Sequence, residues 1–121
     1  MKTVAVIGAS NDRSKFGNKA VRAFQRAGYK VFPVHPAQTE VEQLPCFKTI
    51  RDVPERPHLV SVYVGPERLL QILPDIAARE CDELWLNPGT VSEEVLVKAK
   101  ELGLKTRELC SIIAVGSSPS I

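Results

Sequence analysis

Short apolar runs alternate along the chain with stretches in which apolar residues recur every third or fourth position. The runs are rich in β-branched residues and are closed by Gly, Pro or Asn, which is typical of buried strands in a parallel sheet. We therefore predict five strands, at residues 3–7, 29–34, 59–64, 83–86 and 105–109.

The stretches between the strands have the spacing of amphipathic helices. A first helix carries apolar residues at 20, 21, 24 and 27 and ends at Gly28, a residue suited to the left-handed C-terminal position. A second begins at Pro66, and Pro74 inside it predicts a kink or a break. A third ends at Gly103, and the sequence from Thr90 to Glu93 suggests a capping box at its start.

The segment between residues 37 and 57 shows the weakest periodicity, and we expect Phe47 and Ile50 to hold it against the sheet. Residues 1–115 then form one domain, and the serine-rich residues 116–121 are expected to be a loose tail. The strand–helix alternation predicts an α/β protein, a Rossmann-like doubly wound parallel sheet of about five strands with helices on both faces. In such folds ligands bind at the carboxyl ends of the strands.

One of these carboxyl ends carries the segment GASNDRSKFG, from Gly8 to Gly17. A strand, a glycine turn and a helix N-terminus together present backbone N–H groups and a positive dipole end, which suits a phosphate. Gly8 permits the turn, and Gly17 lets the helix pack close to the strand. Lys15 can add a positive charge, and Ser10 or Asn11 can add hydrogen bonds. A plain strand–helix turn without a ligand remains the alternative.

Three known nucleotide-binding patterns limit which phosphate compound this loop can bind. A dinucleotide fingerprint would require glycine at Ser10 and Arg13, and a triphosphate loop would require Gly-Lys-Ser/Thr where Lys15 is followed by phenylalanine. An NAD site would also place an acidic residue after the second strand, where His35 lies. A diphosphate is therefore plausible, and NAD is disfavoured.

Composition narrows the function further. A net charge of +2 without a basic run argues against a nucleic-acid partner, and no apolar stretch reaches the length of a membrane span. The three cysteines at 46, 81 and 110 form no CxxC pair, so we expect no metal site and a reducing, cytoplasmic location. No nucleophile–base set emerges, so no catalytic residue is assigned and an enzyme is the less favoured class.

Four segments together resemble a known family: VAVIGASNDRSKFGNKAV, AGYKVFPVHP, ELWLNPGTVSEE and ELGLKTRELC. They resemble the small single-domain CoA-binding proteins of bacteria, which are similar to the N-terminal domain of the succinyl-CoA synthetase α-subunit. The resemblance extends over about residues 3–110. It implies a CoA-binding fold with coenzyme A or an acyl-CoA as the ligand. The histidine that the synthetase phosphorylates belongs to a domain not represented here, so ligase activity is not expected.

The resemblance also implies which positions contact the ligand. The loop facing the CoA phosphates corresponds to Gly8, Ala9, Ser10, Lys15 and Gly17, to which the loop chemistry adds Asn11. The nucleotide side corresponds to Pro33, Val34, His35 and Pro36, and the wall after the third strand to Val64, Gly65 and Pro66. The pantetheine side corresponds to Asn87, Pro88 and Gly89, and the late cysteine of the family to Cys110.

The chain departs from the family pattern in four places. His35 replaces the usual Asn, Asn87 replaces the usual Gln, Val64-Gly65 replaces a more usual polar pair, and residues 37–45 lack an expected glycine. Three hypotheses therefore stay open. The first is a CoA-binding module without turnover, and the second is redox or mixed-disulfide chemistry between Cys110 and CoA. The third is a nucleotide-binding or protein-interaction module that has lost CoA. A homo-oligomer is possible, and the sequence indicates no protein partner. His58 precedes the third strand, at the opposite end of the sheet, and is expected to be structural.

Overall fold

A computed structural model describes residues 1–121 as seven strands, four α-helices and one 3-10 helix. The strands are β1 (Thr3–Ile7), β2 (Lys30–Val34), β3 (Glu40–Val41), β4 (Leu44–Pro45), β5 (Leu59–Val62), β6 (Glu83–Leu86) and β7 (Thr106–Glu108). The α-helices are α1 (Phe16–Arg26), α2 (Pro66–Arg79), α3 (Glu93–Glu101) and α4 (Ser111–Ala114), and the 3-10 helix spans Ile50–Asp52.

Five strands form one parallel sheet in the order β2-β1-β5-β6-β7. The chain moves outward from β1 to β2, and then returns to the other side of β1 to form β5. The topological switch point therefore lies between β1 and β5, which is where doubly wound folds open a ligand crevice. This arrangement confirms the predicted α/β Rossmann-like fold.

Helices cover both faces of the sheet, because the side chains of β1 point alternately into two separate clusters that each include helix residues. Ala5 and Ile7 point into a cluster of 15 buried residues that includes side chains of α2 and α3. Val4 and Val6 point into a cluster of 12 buried residues that includes side chains of α1 and α4. None of the helices has the length and apolar character needed to cross a bilayer.

Of the kink or break predicted at Pro74, the break is wrong, because the 14-residue helix α2 continues through this position. A proline cannot donate to the carbonyl four residues before it, which here is that of Leu70. That carbonyl instead accepts a hydrogen bond from Lys98 Nζ of α3 at 3.2 Å. A side chain of the neighbouring helix thus supplies the donor that proline removes.

The predicted capping box at Thr90 is also wrong. Ser92 is the N-cap of α3, and its hydroxyl accepts from the Val95 amide at 3.1 Å. The Thr90 hydroxyl instead donates to the Asn87 carbonyl at 2.7 Å, which closes the turn after β6. The helix therefore starts two residues later than the pattern suggested.

The irregular middle segment is held against the sheet as expected. Phe47 forms a parallel bridge with Val34, its ring packs against Phe32 with centroids 6.0 Å apart, and Ile50 is buried. Two short strands, β3 and β4, form a hairpin in this segment that the sequence did not indicate. At the end of the chain, the Pro119 carbonyl accepts from Lys19 Nζ of α1 at 2.7 Å.

Candidate functional site

A groove opens at the carboxyl edge of the sheet, beside the switch point. Its first lobe is a cavity of about 450 Å³ between the ends of β1, β2 and β5 and the start of α2. Eight of the residues predicted from the sequence line this lobe: Gly8, Ser10, Lys15, Val34, His35, Pro36, Val64 and Gly65. The predicted loop and the predicted nucleotide side thus face a common space.

A second lobe of about 460 Å³ continues from the first. It extends past Phe16 and Gly17 to Pro88 and Gly89 in the turn after β6. The two lobes share five lining residues, Gly8, Lys15, Tyr63, Val64 and Gly65. They therefore form one continuous groove, and Lys15 lies where they meet.

The turn at the start of the groove requires both of its glycines. Gly8 has a φ of +89°, and a Cβ there would approach the Tyr63 carbonyl oxygen to 2.9 Å. A Cβ on Gly17 would lie 2.1 Å from the Gly8 carbonyl oxygen, far inside any tolerable contact. The N-terminus of α1 can therefore press against the end of β1, which brings its first N–H groups, unpaired within the helix, to the groove.

The backbone amides of Gly8 and Ala9 are already used within the fold. Both donate to the Val34 carbonyl, at 3.0 Å and 3.3 Å. Backbone amides that could bind a phosphate are therefore those of the later loop residues and of the start of α1. Ala9 is also fully buried and lines neither lobe.

The middle of the loop is shaped by its own polar side chains. Ser10 Oγ accepts from the Asp12 amide at 3.0 Å, and Asp12 Oδ1 accepts from the Ser14 hydroxyl at 2.6 Å. The Ser14 amide donates to the same oxygen at 3.0 Å, and the two hydrogen bonds from Ser14 hold the pKa of Asp12 below its usual value. Asn11 turns away from the groove, since its amide donates to the Glu40 carbonyl of the hairpin at 2.8 Å and to Gln38.

A buried amide fixes the loop from below. Asn18 on α1 is completely buried, and its Nδ2 donates to the Ser10 carbonyl at 2.8 Å and to Glu42 Oε2 at 3.1 Å. Its Oδ1 accepts from Arg22 Nε at 2.8 Å, while Arg22 Nη2 donates to the Arg13 carbonyl at 2.9 Å. The loop is thus attached at two carbonyls to a helix that packs on the sheet.

The first lobe carries an excess of positive charge. Lys15, Lys48 and Arg68 line it, and none of the three forms a salt bridge within the chain. Asp75 is its one carboxylate. Unpaired cations that converge on a cavity attract an anionic ligand. Lys48 and Arg68 escaped the sequence prediction, because nothing local marks them as neighbours of the loop.

His35 lies among these cations and is held neutral. Burial lowers its pKa, and the nearby charges of Arg68 and Lys15 lower it further. Its Nδ1 accepts a hydrogen bond from the Ala37 amide at 3.0 Å, which assigns the proton of the neutral ring to Nε2. His35 therefore offers one N–H donor and no charge at neutral pH.

Asn87 lies beneath the groove and does not line it. Its side chain is 1% exposed; Nδ2 donates to Ser61 Oγ at 3.0 Å and to the Val62 carbonyl at 2.8 Å. Its Oδ1 accepts from the Ser111 amide at 2.8 Å, and the hydroxyls of Ser61 and Ser111 are 2.8 Å apart. The amide implied by the resemblance as a ligand contact is thus occupied in joining β5, β6 and α4.

Three other implied contacts also lie outside both lobes. Pro33 is buried in β2, Pro66 is the first residue of α2, and Cys110 is the half-buried N-cap of α4. His58 accepts from the Thr3 amide at 3.1 Å through Nδ1, which confirms its structural role. No group of three or more His, Cys, Asp or Glu side chains is arranged to hold a metal ion.

Comparisons with known proteins identify the family and the fold of the chain. Residues 2–116 match the family described as "CoA binding domain". The chain is similar to the uncharacterized protein YneT of Bacillus subtilis, with 25% identity over 114 residues that cover 93% of this chain and 84% of that protein. It is also similar to a conserved hypothetical protein from Pyrococcus furiosus of known structure, with a TM-score of 0.88, 27% identity and coverage of 94% and 99%.

A longer relative carries an enzyme name. An ADP-forming acetate–CoA ligase of Archaeoglobus fulgidus is 33% identical over 92 residues, which cover 74% of this chain. The match covers only 13% of the ligase, so the greater part of that enzyme has no counterpart here.

Proposed function

The chain belongs to the CoA binding domain family, and from that premise we propose that its groove binds coenzyme A or an acyl-CoA without turnover. In the proposed complex the nucleotide end of the ligand occupies the first lobe. The diphosphate lies against Lys15 and the N-terminus of α1, and the pantetheine arm extends along the second lobe towards Gly89.

The observation that carries the proposal is the match between the two lobes and the two chemically different ends of CoA. The nucleotide end is anionic, and the first lobe holds three unpaired cations. The pantetheine arm is uncharged, and the second lobe is lined largely by glycines, Pro88, Phe16 and aliphatic or aromatic side chains. Lys15 lines both lobes, at the position where the diphosphate joins the two ends.

The dimensions of the groove are compatible with such a ligand. Each lobe has a volume of about 450 Å³, and sites for small molecules and cofactors typically range from roughly 300 to 1,000 Å³. An extended molecule that passes through both lobes would leave its thiol end near the turn after β6. An acyl group on that thiol would then be directed out of the groove.

The absence of turnover is proposed from the chemistry of the lining residues. Lys15, His35, Lys48 and Arg68 make no hydrogen bonds to one another, so no residue is paired with a base and an orienting partner. Cys110, on which the mixed-disulfide alternative rests, lines neither lobe. The ligase reaction named for the longer relative is therefore not assigned to this chain.

Isothermal titration of the reduced protein with CoA, NAD and ATP tests the proposal. We expect saturable heat with CoA, none with NAD, and a CoA affinity lowered about tenfold in Lys15→Ala, as for the loss of one charge-assisted hydrogen bond. Lys100→Ala, which removes an exposed lysine of α3, serves as the matched control and should bind like the wild type. CoA that produces no heat at millimolar concentration would refute the proposal.

A further inference from the structure

We infer that the end of β2 forms a separate subsite for a phosphate group on the ribose, so that the groove selects nucleotides whose ribose is phosphorylated. The subsite consists of Lys48, Arg68 and the ring of His35. The inference rests on the proposed function, and it adds that the 3′-phosphate of CoA, and not only the diphosphate, is recognised.

The backbone brings Lys48 to this place. Phe47, the residue before it, donates to the Pro33 carbonyl at 2.9 Å and accepts from the His35 amide at 2.9 Å. The same residue pairs with Val34 in a parallel bridge. Lys48 therefore follows β2 past its carboxyl end, although 13 positions separate it from His35 in the sequence.

The end of the second strand is the position that reads the ribose in doubly wound nucleotide-binding folds. An acidic residue there accepts hydrogen bonds from ribose hydroxyls, whereas a nearby cation accommodates a ribose phosphate. In this chain the position holds His35, and the next four residues carry no acid. Lys48 and Arg68 line the same lobe without salt bridges. The local chemistry therefore suits a phosphate at this position.

Two separate anion positions follow from the placement of the three cations. Lys15 lines both lobes, at their junction, whereas Lys48 and Arg68 line the first lobe alone. His35 lines the first lobe together with all three cations. With Asp75 as the one opposing carboxylate, the first lobe keeps a positive excess. A ligand with two anionic groups offsets this excess better than a ligand with one.

Dephospho-CoA is the probe that isolates the subsite, because it differs from CoA only in the 3′-phosphate. Both ligands are titrated calorimetrically into the wild type and into Lys48→Gln, Arg68→Gln and Lys15→Gln. We expect the wild type to bind CoA at least about tenfold more tightly than dephospho-CoA, the effect of one or more charge-assisted hydrogen bonds. Lys48→Gln and Arg68→Gln should each reduce that ratio by lowering the affinity for CoA alone.

The controls separate recognition of the ribose phosphate from other effects. Lys15→Gln should lower the affinities for CoA and for dephospho-CoA by a similar factor, so that their ratio is unchanged. Lys100→Gln should change neither affinity. Equal affinities of the wild type for the two ligands would overturn the inference and leave the proposed function intact. A Lys48→Gln variant that loses affinity for CoA and for dephospho-CoA by the same factor would overturn the inference as well. Failure of both ligands to bind would refute the proposed function, and the inference with it.

Discussion

Replacement of Asn87 by alanine distinguishes a structural role from a ligand-binding one. The resemblance to CoA-binding proteins implies a contact between this position and the pantetheine arm. The structure instead buries the amide beneath the groove, where its donor and acceptor atoms are paired. We therefore expect Asn87→Ala to destabilise the fold rather than to remove a ligand contact.

The magnitude follows from the bonds that are lost. Three hydrogen bonds disappear, to Ser61 Oγ at 3.0 Å, to the Val62 carbonyl at 2.8 Å and from the Ser111 amide at 2.8 Å. A typical hydrogen bond contributes about 1 kcal/mol net, and a buried N–H left without a partner costs about 1–3 kcal/mol. The free energy of unfolding should therefore fall by about 4–6 kcal/mol, a large part of the ~5–15 kcal/mol of a typical domain.

Urea unfolding followed by circular dichroism measures this change. Asn11→Ala is the matched control. The Asn11 amide is exposed, so its removal should lower the free energy of unfolding by less than about 1 kcal/mol. A free energy of unfolding for Asn87→Ala that lies within about 0.5 kcal/mol of the wild-type value would refute the reasoning. A stable Asn87→Ala protein that has lost CoA affinity more than about tenfold would show that the amide contacts the ligand after all.

Three further results are expected. Gly17→Ala places a Cβ 2.1 Å from the Gly8 carbonyl oxygen, so its thermal unfolding should show a loss of about 1–3 kcal/mol or more; an unchanged melting temperature would contradict this contact. Tyr63→Phe removes a buried hydroxyl that lies beside the Ser61 and Ser111 hydroxyls without a hydrogen bond of normal geometry to either, so urea unfolding should show little change in the free energy of unfolding, and a loss above about 1 kcal/mol would contradict this placement. Burial and the charges of Arg68 and Lys15 lower the pKa of His35 in the free protein, and a bound phosphate should raise that pKa; binding then takes up protons, so calorimetry should show CoA affinity rising as the pH is lowered through the range in which histidine titrates. If the CoA affinity of His35→Gln keeps the same dependence on pH, His35 is not the group that takes up the proton.

The sheet and the loop could be predicted because their signals are local. Five apolar runs separated by helical spacing determine a parallel α/β fold, and the strand ends then identify the edge that holds the groove. The need for glycine at positions 8 and 17 could be predicted for the same reason. Both residues lie at a strand–loop–helix junction, where a Cβ would collide with the backbone.

The features that the sequence did not reveal depend on partners far along the chain. The role of Asn87 depends on Ser61 and Ser111, which the fold brings to it from 26 and 24 positions away. The hairpin was missed because its turn uses Glu42 and Gln43 at positive φ, where glycine or asparagine would have been a signal. Lys48 reaches the groove only through the bridge between its neighbour and β2.

Backbone amide chemical shifts, recorded by NMR during a titration with CoA, test the central claim most directly. The account expects the largest changes along both lobes of the groove, at Lys15, Gly17, Lys48, Gly65 and Gly89. Amides on the far side of the molecule, such as those of the exposed end of α3, should stay unchanged. Saturable binding with the shift changes outside both lobes would contradict the assignment of the site.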